Sequence, residues 1–307
     1  MGAGHGHGHG HGHVHGHAGG RHRWRLLASF ALVGVFFVVE LVYGLVSGSL
    51  ALLSDAGHMA GDVLTLGVAL VATKIAARPD LTGRRTYGSY RAEVFASGFA
   101  VLMMVGTAVY ILVEAVGRIG EPVEVAAGPM LAVGGLGLAV NLVALMLLRE
   151  GASESLNVKG AYLEVLGDAV GSVGVLVAGV LVLTTGQALF DTLVALAIAV
   201  FVVTRAVSLG RRVMAVLGQH APEGMDVEAV AGELAALEGV QDVHDLHLWT
   251  LTSGMHVATA HLVTRDGADG HSVLDRARDL LRDRYAIAHA TLQVEPADHR
   301  GCDELGW

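Results

Sequence analysis

The chain has 307 residues, 53% of them hydrophobic and only 16% charged, against about 25% charged in soluble domains. With its positive mean hydropathy, that composition excludes a wholly soluble protein. The net charge of −9 is unevenly spread: from Gln219 onward, 16 acidic and 6 basic side chains leave −10, so an acidic soluble domain follows a nearly neutral membrane part and repels nucleic acid.

Residues 1–22 alternate Gly with His5, His7, His9, His11, His13, His15 and His17, and end on His22. Low complexity predicts a disordered segment, and neutral imidazoles at this density predict a metal-collecting tail. No short apolar stretch ending in a small-residue cleavage site marks a removable leader. Cys302 is the only cysteine, so no intrachain disulfide is expected.

Six apolar segments follow, at about 25–47, 50–77, 93–116, 126–148, 157–185 and 188–208, each near the roughly 20 residues that a spanning helix needs. The flanks on one side hold Arg21, Arg23, Arg25, Lys74, Arg78, Arg84, Arg85, Arg91, Arg149, Lys159, Arg205, Arg211 and Arg212, and those on the other hold Arg118 alone. That asymmetry predicts both termini on the cytoplasmic side. Glu40, Glu114, Asn141, Asn157, Ser172 and Asp191 also lie in these segments, where interhelical hydrogen bonding is their ordinary role. Asn141 and Ser172 are assigned to it. Glu40 is deep enough to need a partner that the sequence does not name.

After Leu217 the pattern is that of a soluble domain. Asp226–Leu237 is expected as an amphipathic helix, Val240–Leu251 and Met255–Thr264 as a hairpin, Ser272–Tyr285 as a helix and Ala290–Glu295 as a strand. The order α-β-β-α-β implies a small α+β domain with helices on one face of its sheet. With a hairpin loop of two or four residues centred on Thr252-Ser253, His244 faces His261; a three-residue loop breaks that register.

The chemistry concentrates in Asp55-Ala-Gly-His58-Met-Ala-Gly-Asp62 and Glu164-Val-Leu-Gly-Asp168. Each holds an i, i+4 pair on an apolar helix, which aims two side chains at one point. Ionisable groups at this depth are costly and mark a site or pathway. Set face to face, His58, Asp62, Glu164 and Asp168 offer one imidazole and three carboxylates to a divalent cation, with Asp55 and Asn157 as pathway candidates. The membrane part has no thiolate, which argues against copper(I). Such ligands bind metal only when deprotonated, so protons and metal exclude one another and a proton gradient can drive metal outward. No phosphate-binding glycine loop is present, so ATP is not expected to be the driving force.

These residues resemble the cation diffusion facilitator family of divalent-metal/proton antiporters, in particular its zinc-exporting branch. The likeness spans about 24–296 and rests on Gly48–Asp62, on Thr86-Tyr-Gly-Ser-Tyr-Arg91-Ala-Glu93, on Asn157–Asp168 and on Val243-His-Asp-Leu-His-Leu-Trp249. It implies a homodimer whose protomers each carry a six-transmembrane-helix bundle and a metallochaperone-like, ferredoxin-like cytoplasmic domain. It places the transport ligands on the second and fifth helices. It also supports His244, His261 and Glu295 as ligands of a cytoplasmic metal site, with Cys302 a fourth candidate; zinc bound there is expected to regulate transport. His58, Asp62 and Asp168 match the family's pattern, whereas Glu164 stands where its zinc members typically carry His. Three carboxylates make a harder site; zinc stays first, with Cd2+, Mn2+, Fe2+ and Co2+ within range.

The expected organisation is a tail over 1–22, a six-helix membrane domain over 23–212, a cytoplasmic metal-binding and dimerisation domain over 213–298 and a C-terminal tail over 299–307. The protein is expected in the lipid bilayer of a bacterial-type cytoplasmic membrane, without organic cofactor or nucleic-acid partner, and not as an enzyme. One alternative is a non-transporting metal sensor or store, which leaves the four membrane ligands without a purpose. The other is an intramembrane aspartyl protease, since Gly61-Asp62 and Gly167-Asp168 are two Gly-Asp pairs. The GxGD arrangement is missing, however, because residues 59 and 165 are Met and Val.

Overall fold

A computed structural model describes residues 23–61, 63, 84–118, 124–152, 156–252 and 254–298. The histidines of the tail, Asp62, most of the second apolar segment and Cys302 lie outside the described residues. The rest forms α1 (Arg23–Ser47), α2 (helical over 50–61), α3 (Ala92–Gly117), α4 (Ala127–Ala152), α5 (Leu156–Thr185) and α6 (Leu189–Leu217). Then come α7 (Val227–Ala235), β1 (Val240–Thr252), β2 (Met255–Thr264), α8 (Gly270–Tyr285) and β3 (His289–Glu295).

Five helices among the described residues are long and apolar enough to cross a membrane: α1 from Leu27, α3, α4 to Glu150, α5 from Ala161, and α6. Proline enters them only at Pro129, in the first turn of α4, where its missing N–H has no helical acceptor to lose. Gly48 ends α1 with φ +68° and Gly186 ends α5 with φ +69°, left-handed positions that only glycine takes without strain. α6 continues to Leu217, past the 208 expected from hydropathy. Arg205, Arg211 and Arg212 end the apolar run, but nothing interrupts helical geometry before Gly218 and the left-handed Gln219.

The described residues divide into two compact units. One holds those up to Ala60 together with Thr107–Phe201; the other holds those of Gly61–Gly106 and from Val202 on. In the first, α4 packs along α5, and α1 lies against α4. Phe36, Leu50, Leu52, Met59, Ile111, Met130 and Leu148 are buried there, while Val35, Val109, Leu112, Val170, Val177 and Leu183 are exposed. So much apolar surface facing outward is what a lipid-covered bundle requires.

In the second unit the sheet order is β1-β2-β3, β1 antiparallel and β3 parallel to β2. Val230, Leu234, Leu248, Leu262, Val273 and Leu281 are among the side chains of its core. Asp226 and Asp269 cap α7 and α8 by accepting backbone N–H groups of their first turns. The Ser272 hydroxyl and the His271 amide hold the Asp269 carboxyl below its ordinary range. At the hairpin's turn end, Thr252 Oγ1 donates to Glu93 Oε2 of α3 at 3.0 Å.

The hairpin register differs from the simple expectation. Thr252 lies opposite Met255, and irregularities between Thr250 and Thr252 and between His244 and His247 shift the pairing. His244 still ends opposite His261, because bulges, rather than loop length alone, restore the alignment.

Candidate metal centres

In the membrane bundle, α2 and α5 bring His58 Nε2 within 3.3 Å of Asp168 Oδ1, with side chains 3% and 5% exposed. A tetrahedral zinc-like ion with bonds of about 2.0–2.2 Å separates its ligand atoms by about 3.3–3.6 Å, so the pair already has the spacing of two ligands. Asp168 Oδ1 accepts no hydrogen bond from a described donor. Phe201 of α6 meets the His58 ring edge-on at 5.6 Å between centroids and fixes its plane. Glu164 lies one turn before Asp168 but its side chain is exposed. Asp62 lies outside the described residues, and Asn157 is in the first turn of α5, outside the described side chains.

Asp55 is 2% exposed. A Cβ added at Gly171 would come within 2.7 Å of its Oδ1, so this glycine lets α5 and the α2 carboxylate approach. Glu40 is 1% exposed, and Asp55 is its nearest electrostatic neighbour among the described carboxyl groups. Asn141 Nδ2 donates to Ser172 Oγ at 3.3 Å across α4 and α5, an ordinary interhelical bond. Glu114 pairs instead with Arg118, just past the end of its own helix, at 3.3 Å.

At the opposite end of α2 from His58 lies an arrangement whose architecture sequence reasoning missed. Asp191, fully buried, accepts from Ser49 Oγ at 2.6 Å, Leu50 N at 2.7 Å and Ala51 N at 3.1 Å. It thereby caps α2 from another helix. Arg118 lies 3.5 Å from it and also donates to the Gly48 carbonyl at 3.0 Å. The signal was Gly48-Ser49 before an apolar run, together with an acid in the first turn of α6.

The C-terminal domain holds a second cluster. Ligand atoms of His244, His261 and Glu295 lie within 4.8 Å of one another. His261 Nδ1 is 2.8 Å from Glu295 Oε1, and His244 Nε2 is 3.7 Å from Glu295 Oε2. β1, β2 and β3 each supply one residue, so the sheet's pairing builds the site. His244 Nε2 is buried without a hydrogen-bond partner, which fits a ligand atom aimed at a cation. Two imidazoles and a carboxylate suit zinc with one position left open. Asp245, absent from the expected ligands, takes φ +54° at the bulge after His244 and places Oδ2 3.9 Å from His261 Nε2. Its other oxygen is 3.0 Å from His247 Nε2.

Replacing His244 and His261 together by Ala is expected to remove the tetrahedral cobalt(II) absorption of this domain and weaken its metal binding by at least about a hundredfold. An unchanged cobalt spectrum would show that the cluster binds nothing.

Comparison with known proteins follows the same division. A family model described as the cation efflux transmembrane domain matches residues 26–217, and one described as the cation efflux protein cytoplasmic domain matches 222–297. The metal cation efflux system protein CzcD of Cupriavidus metallidurans is 41% identical over 298 residues, 97% of this chain and 91% of its own length. A cadmium, cobalt and zinc/H(+)-K(+) antiporter of Bacillus velezensis is 36% identical, covering 92% of this chain and 91% of its own. The zinc transporter ZitB of Escherichia coli is 34% identical, covering 91% and 89%. A solved metal-bound C-terminal domain of the C. metallidurans CzcD transporter is 36% identical, covers 23% of this chain and 99% of its own, and has a TM-score of 0.22.

Proposed function

The chain belongs to the cation efflux family, of transporters rather than enzymes, and from that premise we propose how it exports a divalent metal. The metal, zinc first and cadmium or cobalt next, binds between α2 and α5 and is exchanged for protons. The observation that carries this reading is the His58–Asp168 contact, 3.3 Å long and buried in an apolar bundle. The relatives named above for zinc, cadmium, cobalt and H(+) support the choice of ion and of counter-ion.

Each ligand acts through its proton. His58 Nε2 binds metal only as neutral imidazole, and Asp168 only as carboxylate. Asp62 and Glu164 complete the set by position: Asp62 lies one turn after His58, and Glu164 one turn before Asp168. On the cytoplasmic side, at low proton activity, the deprotonated ligands take up metal. When the site opens to the more acidic side, protons compete for the same atoms and metal leaves. Alternating access then makes proton entry drive metal exit, without ATP.

The segment at 50–77 is the sixth span, and both termini are cytoplasmic by the distribution of Lys and Arg. The second matching model, for the cytoplasmic domain, supports a homodimer. The His244–His261–Glu295 site takes zinc from the cytoplasm and regulates transport, and the His-rich tail gathers metal beside it.

Glu164 sets selectivity. With three carboxylates and one imidazole the site is harder than one with two histidines. In liposomes, Glu164→His is expected to lower manganese flux at least about tenfold relative to zinc. An unchanged ratio would mean that the exposed Glu164 does not ligate the transported ion.

A further inference from the structure

Arg118, just past the end of α3, stands where four helix ends meet. Its Nη1 donates to the Gly48 carbonyl, between α1 and α2, at 3.0 Å and lies 3.5 Å from Asp191 Oδ2 at the start of α6. Its Nε is 3.3 Å from Glu114 Oε1, one turn back on α3. The Arg118 side chain is 11% exposed and that of Asp191 fully buried, whereas that of Glu114 is 44% exposed.

The bonds at this end fall into two sets. Asp191 holds the start of α2 through Ser49 Oγ, Leu50 N and Ala51 N, and one turn on, Ser54 Oγ donates to the Ala195 carbonyl of α6 at 3.0 Å. α2 and the first turns of α6 are therefore bonded together without help from α3. When α3 parts from them, Asp191 keeps three donors at a helix start, which favours negative charge, and Arg118 keeps Glu114. Neither charge is left buried and unpartnered, the condition that makes a broken pair costly. Of these groups the Gly48 carbonyl alone loses its donor. α3 also covers α2 on the way to the metal ligands. A Cβ at Gly57, beside His58, would collide with the Thr107 side chain of α3. From that contact to the Arg118–Gly48 bond the two helices run in opposite directions, side by side, for roughly 13–16 Å. Parting them at the Arg118 end uncovers the face of α2 that leads to His58.

We propose that Arg118 is the latch of the metal exit. It closes this end of the bundle while bonded to Gly48 and beside Asp191, and opens it by leaving both for Glu114. This rests on reading the chain as a divalent-metal exporter, with Arg118 on the extracytoplasmic side. Arg118 is a positioning residue and touches no metal. A divalent ion moving along α2 from the His58–Asp168 site repels the guanidinium and so favours the open arrangement, in which Glu114 is the partner.

The test reads access to α2 from the Arg118 side. Cys302→Ser removes the only native thiol. Ser54→Cys then supplies a reporter at a buried position, three residues before Gly57 and on the same side of α2. Right-side-out membrane vesicles holding this full-length parent are treated with a membrane-impermeant cationic methanethiosulfonate. Arg118→Gln is expected to speed labelling at least tenfold, and Arg118→Lys to leave it within threefold of the parent. Glu114→Gln breaks the same Arg118–Glu114 pair, yet is expected to slow labelling at least threefold, because the open arrangement loses its partner. A merely structural pair would shift both in one direction. Labelling no faster with Arg118→Gln, or both variants shifting together, overturns the proposal. So does equally fast labelling of Arg118→Gln in inside-out vesicles, which reads general loosening.

In liposomes, Glu114→Gln is expected to lower zinc flux at least fivefold while equilibrium zinc affinity in detergent stays within twofold. Unchanged flux overturns the proposal, because the exit then opens without Glu114. If the unmodified chain moves no zinc, the exporter reading fails, and the labelling contrast still decides whether Arg118 holds this end shut.

Discussion

Asp168→Asn is expected to lower zinc flux at least about a hundredfold while the chain remains folded. Losing even an outer partner of a metal ligand commonly costs 10–100-fold, and Asp168 is one of the two groups already at ligand spacing. The substitution keeps the shape and one oxygen but removes the charge that balances a divalent ion. It also removes a protonation that competes with metal. What little flux remains should therefore respond less to pH, a change that a merely distorted helix would not produce. Radioactive zinc uptake into liposomes at two external pH values reads both effects. Flux within threefold of the unmodified chain would remove Asp168 from the transport site.

Asp191→Ala is expected to cost about 3–5 kcal/mol of stability, as does breaking other buried ion pairs. The carboxylate accepts from one hydroxyl and two backbone amides at the start of α2. Its loss also leaves Arg118, 11% exposed, without this acid. Four donors then compete for the remaining carbonyls in a region with little water. Asp191→Asn keeps one acceptor oxygen and should cost less, about 1–3 kcal/mol. Guanidinium unfolding in detergent micelles measures the difference. A cost below about 1 kcal/mol for the alanine variant would show that the α2 start is held by other contacts.

The His58–Asp168 contact was legible because i, i+4 spacing and an apolar background both survive in one dimension. Helix ends were less so: hydropathy stops α6 at 208, whereas backbone geometry carries it to Leu217. The close approach of Asp55 to α5 was not legible, because it depends on Gly171 of another helix. Asp191 reads in sequence as one more polar residue in a span, because its hydrogen bonds go to a helix start more than a hundred residues away. The pairing of His244 with His261 followed from a simple register, yet the strands reach it through bulges, one of which turns Asp245 into a left-handed conformation. Glu164 matches the spacing of His58 and Asp62, and its side chain is exposed.

Under the proposed function, metal and protons exchange at the His58–Asp168 site. Liposomes containing the protein, with a pH dye inside and no ion gradient other than zinc, test it most directly. Zinc added outside should alkalinise the lumen, because zinc entering drives protons out and raises the internal pH. Asp168→Asn should show neither movement. Zinc entry with no change in internal pH would contradict proton exchange.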